Sequence, residues 1–286
     1  MNCAARRIIL CGAMDDLFPP VPQTLSLFAA APDMIVRVID TETAGQPRAQ
    51  DDAVIEIGSV DLDLSTGRIF NPMQSFVDPA GIPINEHARR VHRITDEMLA
   101  GAPRFADAAP AFTQGIGTYA AQRASFDRDR LRFTGRWLCT YKLALRAFPA
   151  VRSHGLQSLV KYLPLDLTEV SGQLEGLHPH RALYDALCTA VLLRRIAGEL
   201  GPRCQDGADF LERAERVSTE PALLAKFRFG KHKGSRLGEV PTDYLEWVTG
   251  QPNMDADVAF TARYHLKRRR AEMIARMTRG PVVAAL

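Results

Sequence analysis

Asp40-Thr41-Glu42 places two carboxylates one residue apart, directly after the apolar run at residues 34–39. That run, Met-Ile-Val-Arg-Val-Ile, predicts a buried strand. Side chains at i and i+2 of a strand share a face, so Asp40 and Glu42 project together at the strand's end. Two adjacent carboxylates repel, and ionising both calls for a compensating charge. A divalent cation supplies it, and hard oxygen ligands suit Mg²⁺ or Mn²⁺. A solvated turn meets the same need, so the tripeptide alone decides nothing.

Two further acids lie downstream. Asp127 closes the run Ala124-Ser125-Phe126-Asp127, and Asp185 lies in His180-Arg181-Ala182-Leu183-Tyr184-Asp185-Ala186. Between them and the first pair runs Val91-His92-Arg93-Ile94-Thr95-Asp96-Glu97-Met98. In this order the four segments resemble the DEDDh 3′→5′ exonucleases, which include proofreading subunits, ribonuclease T and oligoribonuclease. The segments 137–144 (Trp-Leu-Cys-Thr-Tyr-Lys-Leu-Ala) and 176–185 draw the likeness toward a branch of exodeoxyribonucleases. The likeness covers roughly residues 34–198.

The resemblance implies an α/β fold, a ribonuclease H-like mixed sheet flanked by helices. It implies two divalent cations, Mg²⁺ or Mn²⁺, held by Asp40, Glu42, Asp127 and Asp185. Asp40 would touch both cations, and Asp127 would complete the second site. Four carboxylates and two metals suit phosphodiester hydrolysis, which needs an activated water and a stabilised leaving oxygen. His180 is the implied general base, and its ordinary pKa near 6.5 lets it accept a proton at neutral pH. Pro179 biases His178 away from helix, which places His180 at the entry of the helix carrying Asp185. His178 is at the wrong spacing for the family pattern. Thr41, Val91 and His92 would approach the terminal nucleotide, Thr41 through its backbone. Phe126 either lines the site or anchors Asp127 in the core. Relatives carry His-Asn before the Ala-Ser-Phe-Asp run, where this chain has Gln122-Arg123.

Three early strands, at 34–39, 54–60 and 69–78, must carry the first acids. Gly67 and Asn71-Pro72 punctuate the third. Helices are expected over 105–117, 139–148, 155–163 and 180–199, the last the longest amphipathic candidate. Strands followed by alternating helices and short strands imply an α/β domain. Residues 1–33 read as an N-terminal extension, although a translation start at Met34 would fit the first strand equally. Residues 34–200 form the nuclease-like domain, 201–223 a helical connector, and 224–286 a small basic α+β module. In that module the segment 226–234, Lys-Phe-Arg-Phe-Gly-Lys-His-Lys-Gly, alternates aromatic and basic residues. It offers either a stacking face for bases or a β-hairpin with core aromatics and solvated lysines. A helix begins near Pro241, and 255–278 read as a basic helix.

Composition sets the outer limits. The 286 residues are 46% hydrophobic and 24% charged, ordinary for a globular chain with a sizeable core. No stretch approaches the ~20 apolar residues that span a bilayer. Arg6 and Arg7 precede a short apolar segment, but Asp15-Asp16 follow, which argues against a secretory signal. Five scattered cysteines form no Cys-x-x-Cys pair, which disfavours zinc and fits a reducing cytoplasm. Residues 219–286 hold 12 Lys/Arg against 7 Asp/Glu, and the rest of the chain holds 24 against 26. A basic tail on a slightly acidic domain suits a polyanionic partner.

The activity that the resemblance implies is 3′→5′ hydrolysis of DNA from single-stranded 3′ ends, with no membrane partner. RNA trimming is the alternative within the same chemistry. A nucleic-acid-binding protein with a weakened nuclease domain and a polymerase-associated proofreading subunit are the other readings. A homodimer is compatible with the family.

Overall fold

A computed structural model describes residues 34–278, apart from 47, 49, 50 and 228. The extension read over residues 1–33 lies outside the described residues, as do 279–286.

Five strands form one sheet in the order β3-β2-β1-β4-β5. They are β1 (Ile35–Thr43), β2 (Val54–Asp63), β3 (Ile69–Phe76), β4 (Thr118–Ala121) and β5 (Arg136–Cys139). β1 is central, antiparallel to β2 and parallel to β4, so the sheet is mixed as expected. The strand β1 does not stop before the acids. It continues through Asp40 and Glu42 to Thr43, because Asp40 pairs with Gly58 and Glu42 with Glu56 on β2.

Helices α1 (Glu86–His92), α2 (Asp96–Leu99) and α3 (Phe105–Ala108) follow β3. Helix α4 (Ser125–Leu131) links β4 to β5, and α5 (Thr140–Ala147) leaves β5 directly. Then come α6 (Leu156–Tyr162), α7 (Ser171–Leu174), α8 (Ala182–Leu200) and α9 (Gly207–Thr219). The last are α10 (Thr242–Thr249) and α11 (Ala256–Thr278). The helix expected over 105–117 is broken. After α3 the chain tightens into a 3₁₀ turn, Ala109–Phe112, around Pro110, which lacks the amide hydrogen a longer helix needs.

The period of two along the strands divides the core by face. Val36, Val38, Val60, Leu62, Ala120 and Leu138 pack with the buried sides of α5, α6, α8 and α9. Ile39, Ile57, Tyr119, Ala121 and Trp137 belong to a second cluster. That cluster also takes in Phe227, Leu237, Leu245, Val248, Val258 and Ala262, so residues beyond 224 share a core with the strands. Tethers reinforce the seam: Thr261 Oγ1 accepts from the Leu224 amide at 2.9 Å, and Asp257 accepts from Ala222 at 2.7 Å. Among the described residues of this segment, extended pairing is limited to one bridge, Lys226 with Arg236. A full hairpin does not form there. Phe227 is fully buried while Phe229 is exposed. Among the described residues, no helix is long and apolar enough to cross a membrane.

Candidate active site

Asp40 and Glu42 lie on the face of β1 that looks toward α8, in register with Val36 and Val38. Helix α8 brings Asp185 in its first turn. Carboxylate oxygens of Asp40, Glu42 and Asp185 lie within 4.8 Å of one another.

The approach of α8 depends on one missing side chain. Gly58, the partner of Asp40 on β2, lies directly under the helix start. A Cβ there would stand 2.1 Å from the Leu183 amide nitrogen and 2.3 Å from the Ala182 carbonyl carbon. Glycine inside a strand marks such a close backbone approach.

Glu56 fixes the helix from the same strand. It is fully buried and opposite Glu42. Its Oε2 accepts from the Ala182 amide at 3.0 Å, satisfying an amide that the α8 N-terminus leaves free. The Arg181 guanidinium binds both Glu56 oxygens, and Gln74 donates to the same carboxylate. Arg181 also lies over the Phe76 ring at 5.3 Å. Sequence alone does not single out Glu56 or Gly58. The available signal is a glutamate and a glycine inside the otherwise apolar strand Val54–Asp63.

Asp127 enters from α4 and is buried. It stands apart from the close trio but beside it, held by the Thr41 hydroxyl, which donates to its Oδ1 at 2.8 Å. Thr41 thus contributes its side chain as well as its backbone. Asp185 accepts from Gln157 of α6 at 2.8 Å and from the His180 amide at 3.3 Å.

These acids resist ionisation together. Burial, then the charges of Asp127, Asp185, Glu42 and Glu56, hold Asp40 well above the usual carboxylate range. Burial and the neighbouring acids push Glu42 up to about 9. Burial raises Asp127 to about 7 against the Thr41 hydrogen bond, and Asp185 to about 6. A set of three converging oxygen donors with suppressed ionisation is what a hard divalent cation relieves. The donor chemistry therefore fits Mg²⁺ or Mn²⁺.

His180 is exposed and has φ +66°, the left-handed region that few non-glycine residues adopt. Its Nδ1 lies 3.9 Å from Asp185 Oδ2. Partial burial, then His178, lowers its pKa, which favours the neutral ring. His178 turns to its own neighbour instead, with Nδ1 2.8 Å from the Pro179 carbonyl.

The remaining expected residues fall in different settings. Val91 and His92 end α1; Val91 is half-buried and His92 is buried. Burial pushes His92 down to about 4, so it is neutral. Phe126 is 42% exposed with the Arg130 guanidinium 3.6 Å above its ring, so it does not anchor Asp127 in the core. Gln122 bridges the end of β4 to other elements, accepting from Thr140 at 2.6 Å and donating to the His154 carbonyl at 2.9 Å. Arg123 has φ +62° and stacks on Tyr141 at 4.3 Å. The pair that replaces the usual His-Asn therefore shapes the turn leading to Asp127.

Residues 38–193 match the family model for exonucleases of the ribonuclease T type. Exodeoxyribonuclease 10 of Escherichia coli K12 is 35% identical over 238 residues, spanning 82% of this chain and 99% of its own length. The DNA polymerase III subunit epsilon of Aquifex aeolicus is 26% identical over 192 residues, spanning 63% of this chain and 88% of its own. Among solved structures, exonuclease X in complex with 5′ overhanging duplex DNA superposes with a TM-score of 0.54 at 37% identity. That match covers 64% of this chain and 99% of the other. The family match ends inside α8, before the segment that completes the second core cluster.

Proposed function

The chain belongs to the DEDDh group of the exonuclease family, and from that membership we propose that it removes nucleotides from DNA 3′ ends, single-stranded ends first. Its class is 3′→5′ exonuclease, a phosphodiester hydrolase. The observation that carries the reading is the convergence of Asp40, Glu42 and Asp185 within 4.8 Å. It occurs on a fold shared with an exonuclease solved in complex with DNA.

Two divalent cations held by Asp40, Glu42 and Asp185, with Asp127 beside Asp40, would supply an activated water and neutralise charge at the phosphorus. The chain's own residues do the rest. Glu56 and Arg181 fix the start of α8, and so the place of Asp185. Thr41 fixes Asp127. His180, exposed and neutral at its ring nitrogens, accepts the proton released by the attacking water. Its left-handed backbone turns it out of the helix, while Arg181 next to it is pinned to Glu56. Thr41, Val91, His92 and Phe126 are the residues we assign to the terminal nucleotide.

The test is digestion of end-labelled strands of one sequence as single-stranded DNA, 5′-overhanging duplex, blunt duplex and RNA. Stepwise 3′ shortening with Mg²⁺, fastest on single-stranded DNA and abolished by EDTA, is the expected result. Faster trimming of RNA, or shortening that persists in excess chelator, would overturn the reading.

A further inference from the structure

A cavity of about 220 Å³ opens where the supports of the site meet the C-terminal segment. Its lining includes Arg123, Arg152, Lys226 and Tyr141. Three cations share this wall, and no carboxylate does. Among the described residues, none of the three is paired with an acid; Arg123 makes its contact with the Tyr141 ring. Like charges gathered without a counterion repel, and in a cleft they focus a positive potential. Their natural relief is an anion.

Two of the cations arrive on elements tied to the catalytic acids, and the third on the C-terminal segment packed against them. Arg123 follows Gln122 in the turn from β4 into α4, four residues before Asp127. Arg152 sits in the loop that runs through His154 into α6, and α6 supplies Gln157 to Asp185. His154 is buried and fixed on both sides, its ring nitrogen against the Phe148 carbonyl and its own carbonyl accepting from Gln122. The loop that presents Arg152 is therefore anchored. Lys226 belongs to the segment that shares the second core cluster.

Resting on the nuclease reading, we propose that Arg123, Arg152 and Lys226 form a phosphate-binding subsite. It holds an internal phosphodiester of the substrate strand, upstream of the bond being cut. Arginine forks and a lysine point charge are the side chains that grip phosphate oxygens. Free inorganic phosphate offers the same chemistry. The strand is favoured because the pocket is built from the elements that hold Asp127 and Asp185. The planar Arg123 guanidinium, already stacked on Tyr141, keeps its edge available for hydrogen bonds.

The experiment measures binding without turnover, so its outcome is separate from that of the nuclease reading. Anisotropy of labelled single-stranded DNA is followed in EDTA across a salt series, for the full chain and for Arg152→Glu combined with Lys226→Glu. A second variant, Arg123→Gln, keeps the turn polar if the double variant proves unstable. We expect affinity for a long strand to fall by roughly tenfold or more in the double variant. The slope of log K against log salt should flatten by about 0.7, the share of the one phosphate no longer neutralised. A single neutral methylphosphonate, walked along the strand, should weaken wild-type binding at one position and leave the variant indifferent there. In Mg²⁺, the variants should raise KM more than they lower kcat. Unchanged affinity and slope in folded variants would overturn the proposal. So would inhibition by inorganic phosphate that the variants lose while strand affinity stays the same, since that marks a site for the free ion.

Discussion

Gly58 stands opposite Asp40 across the β1–β2 pair, and the backbone of α8 occupies the place its side chain would take. The distance between Asp40 and Asp185 is thus set by an absent methyl group. Replacing Gly58 with alanine forces the helix start away from the sheet, because a backbone nitrogen 2.1 Å away cannot swing aside as a side chain can. Gly58→Ala should lose metal-dependent turnover and destabilise the fold by about 1–3 kcal/mol, the scale of core overpacking. Denaturant unfolding and activity on one sample check both parts. Wild-type turnover in the variant would show that α8 does not need this contact.

Cation binding should be coupled to proton release. Burial and mutual repulsion raise the carboxyls of Asp40, Glu42, Asp127 and Asp185, with Glu42 reaching about 9. A cation must displace those protons, so apparent Mg²⁺ affinity should climb with pH up to about 9. The metal-free fold behaves oppositely. Carboxyls raised in the folded state bind more protons there than in the unfolded chain, so stability falls as pH rises from their ordinary values near 4 toward 9. Calorimetric titration in buffers of different ionisation heat reads the protons released. Asp40→Asn should raise the melting temperature without metal, abolish turnover and remove the stabilisation by Mg²⁺. A pH-independent affinity, or full activity in Asp40→Asn, would be incompatible with this site.

His180 and His178 should separate cleanly. His180→Ala is expected to lower kcat by roughly 10²–10⁴-fold, the range of general acid–base catalysis, with cation affinity largely kept. His178→Ala should have a small effect, since its ring rests against the Pro179 carbonyl. Equal losses in the two variants would reverse the assignment of the base.

Arg181 neutralises a glutamate that has no access to water. Arg181→Ala leaves Glu56 buried and uncompensated at the α8 N-terminus. Breaking such a pair costs about 3–5 kcal/mol. Removing the charge as well, in Arg181→Ala with Glu56→Gln, should recover part of that loss. Unfolding curves of the single and double variants measure the coupling; strict additivity would mean that the two side chains do not depend on each other.

Cutting the chain after residue 218 should unfold the nuclease half rather than free it. The deletion removes Phe227, Leu237, Leu245 and Val248 from the cluster that also holds Trp137, Tyr141 and Leu145. Each such side chain contributes about 1.5–3 kcal/mol when fully buried. Circular dichroism and limited proteolysis of the truncated protein check this, and a sharp melt at the full-length temperature would contradict it.

What the sequence could and could not foretell follows from the range of the interactions. The pairing of Asp40 with Glu42 was readable because the strand period acts over two residues. The helix carrying Asp185 was readable from its own amphipathic run, found here as Ala182–Leu200. The bond between Glu56 and Arg181 joins positions 125 residues apart, and no periodicity encodes it. The break at Pro110 was local, yet a helical pattern over 105–117 masked it. The hairpin alternative for 226–234 misjudged which aromatics are inside: Phe227 is buried in the cluster shared by the strands and the last two helices and meets the Tyr244 ring, while Phe229 is exposed.

The route from β1 to α8 also has a temporal meaning. The ribosome makes Asp40 and Glu42 long before Asp185, and Glu56 waits 125 residues for Arg181. A nascent chain arrested ahead of α8 has two of the three converging carboxylates and nothing to seat them against Gly58. On the proposed assignment, abortive products of translation would be disarmed in this way, and the capacity to cut nucleic acid would be acquired only once the closing helix has been synthesised and docked.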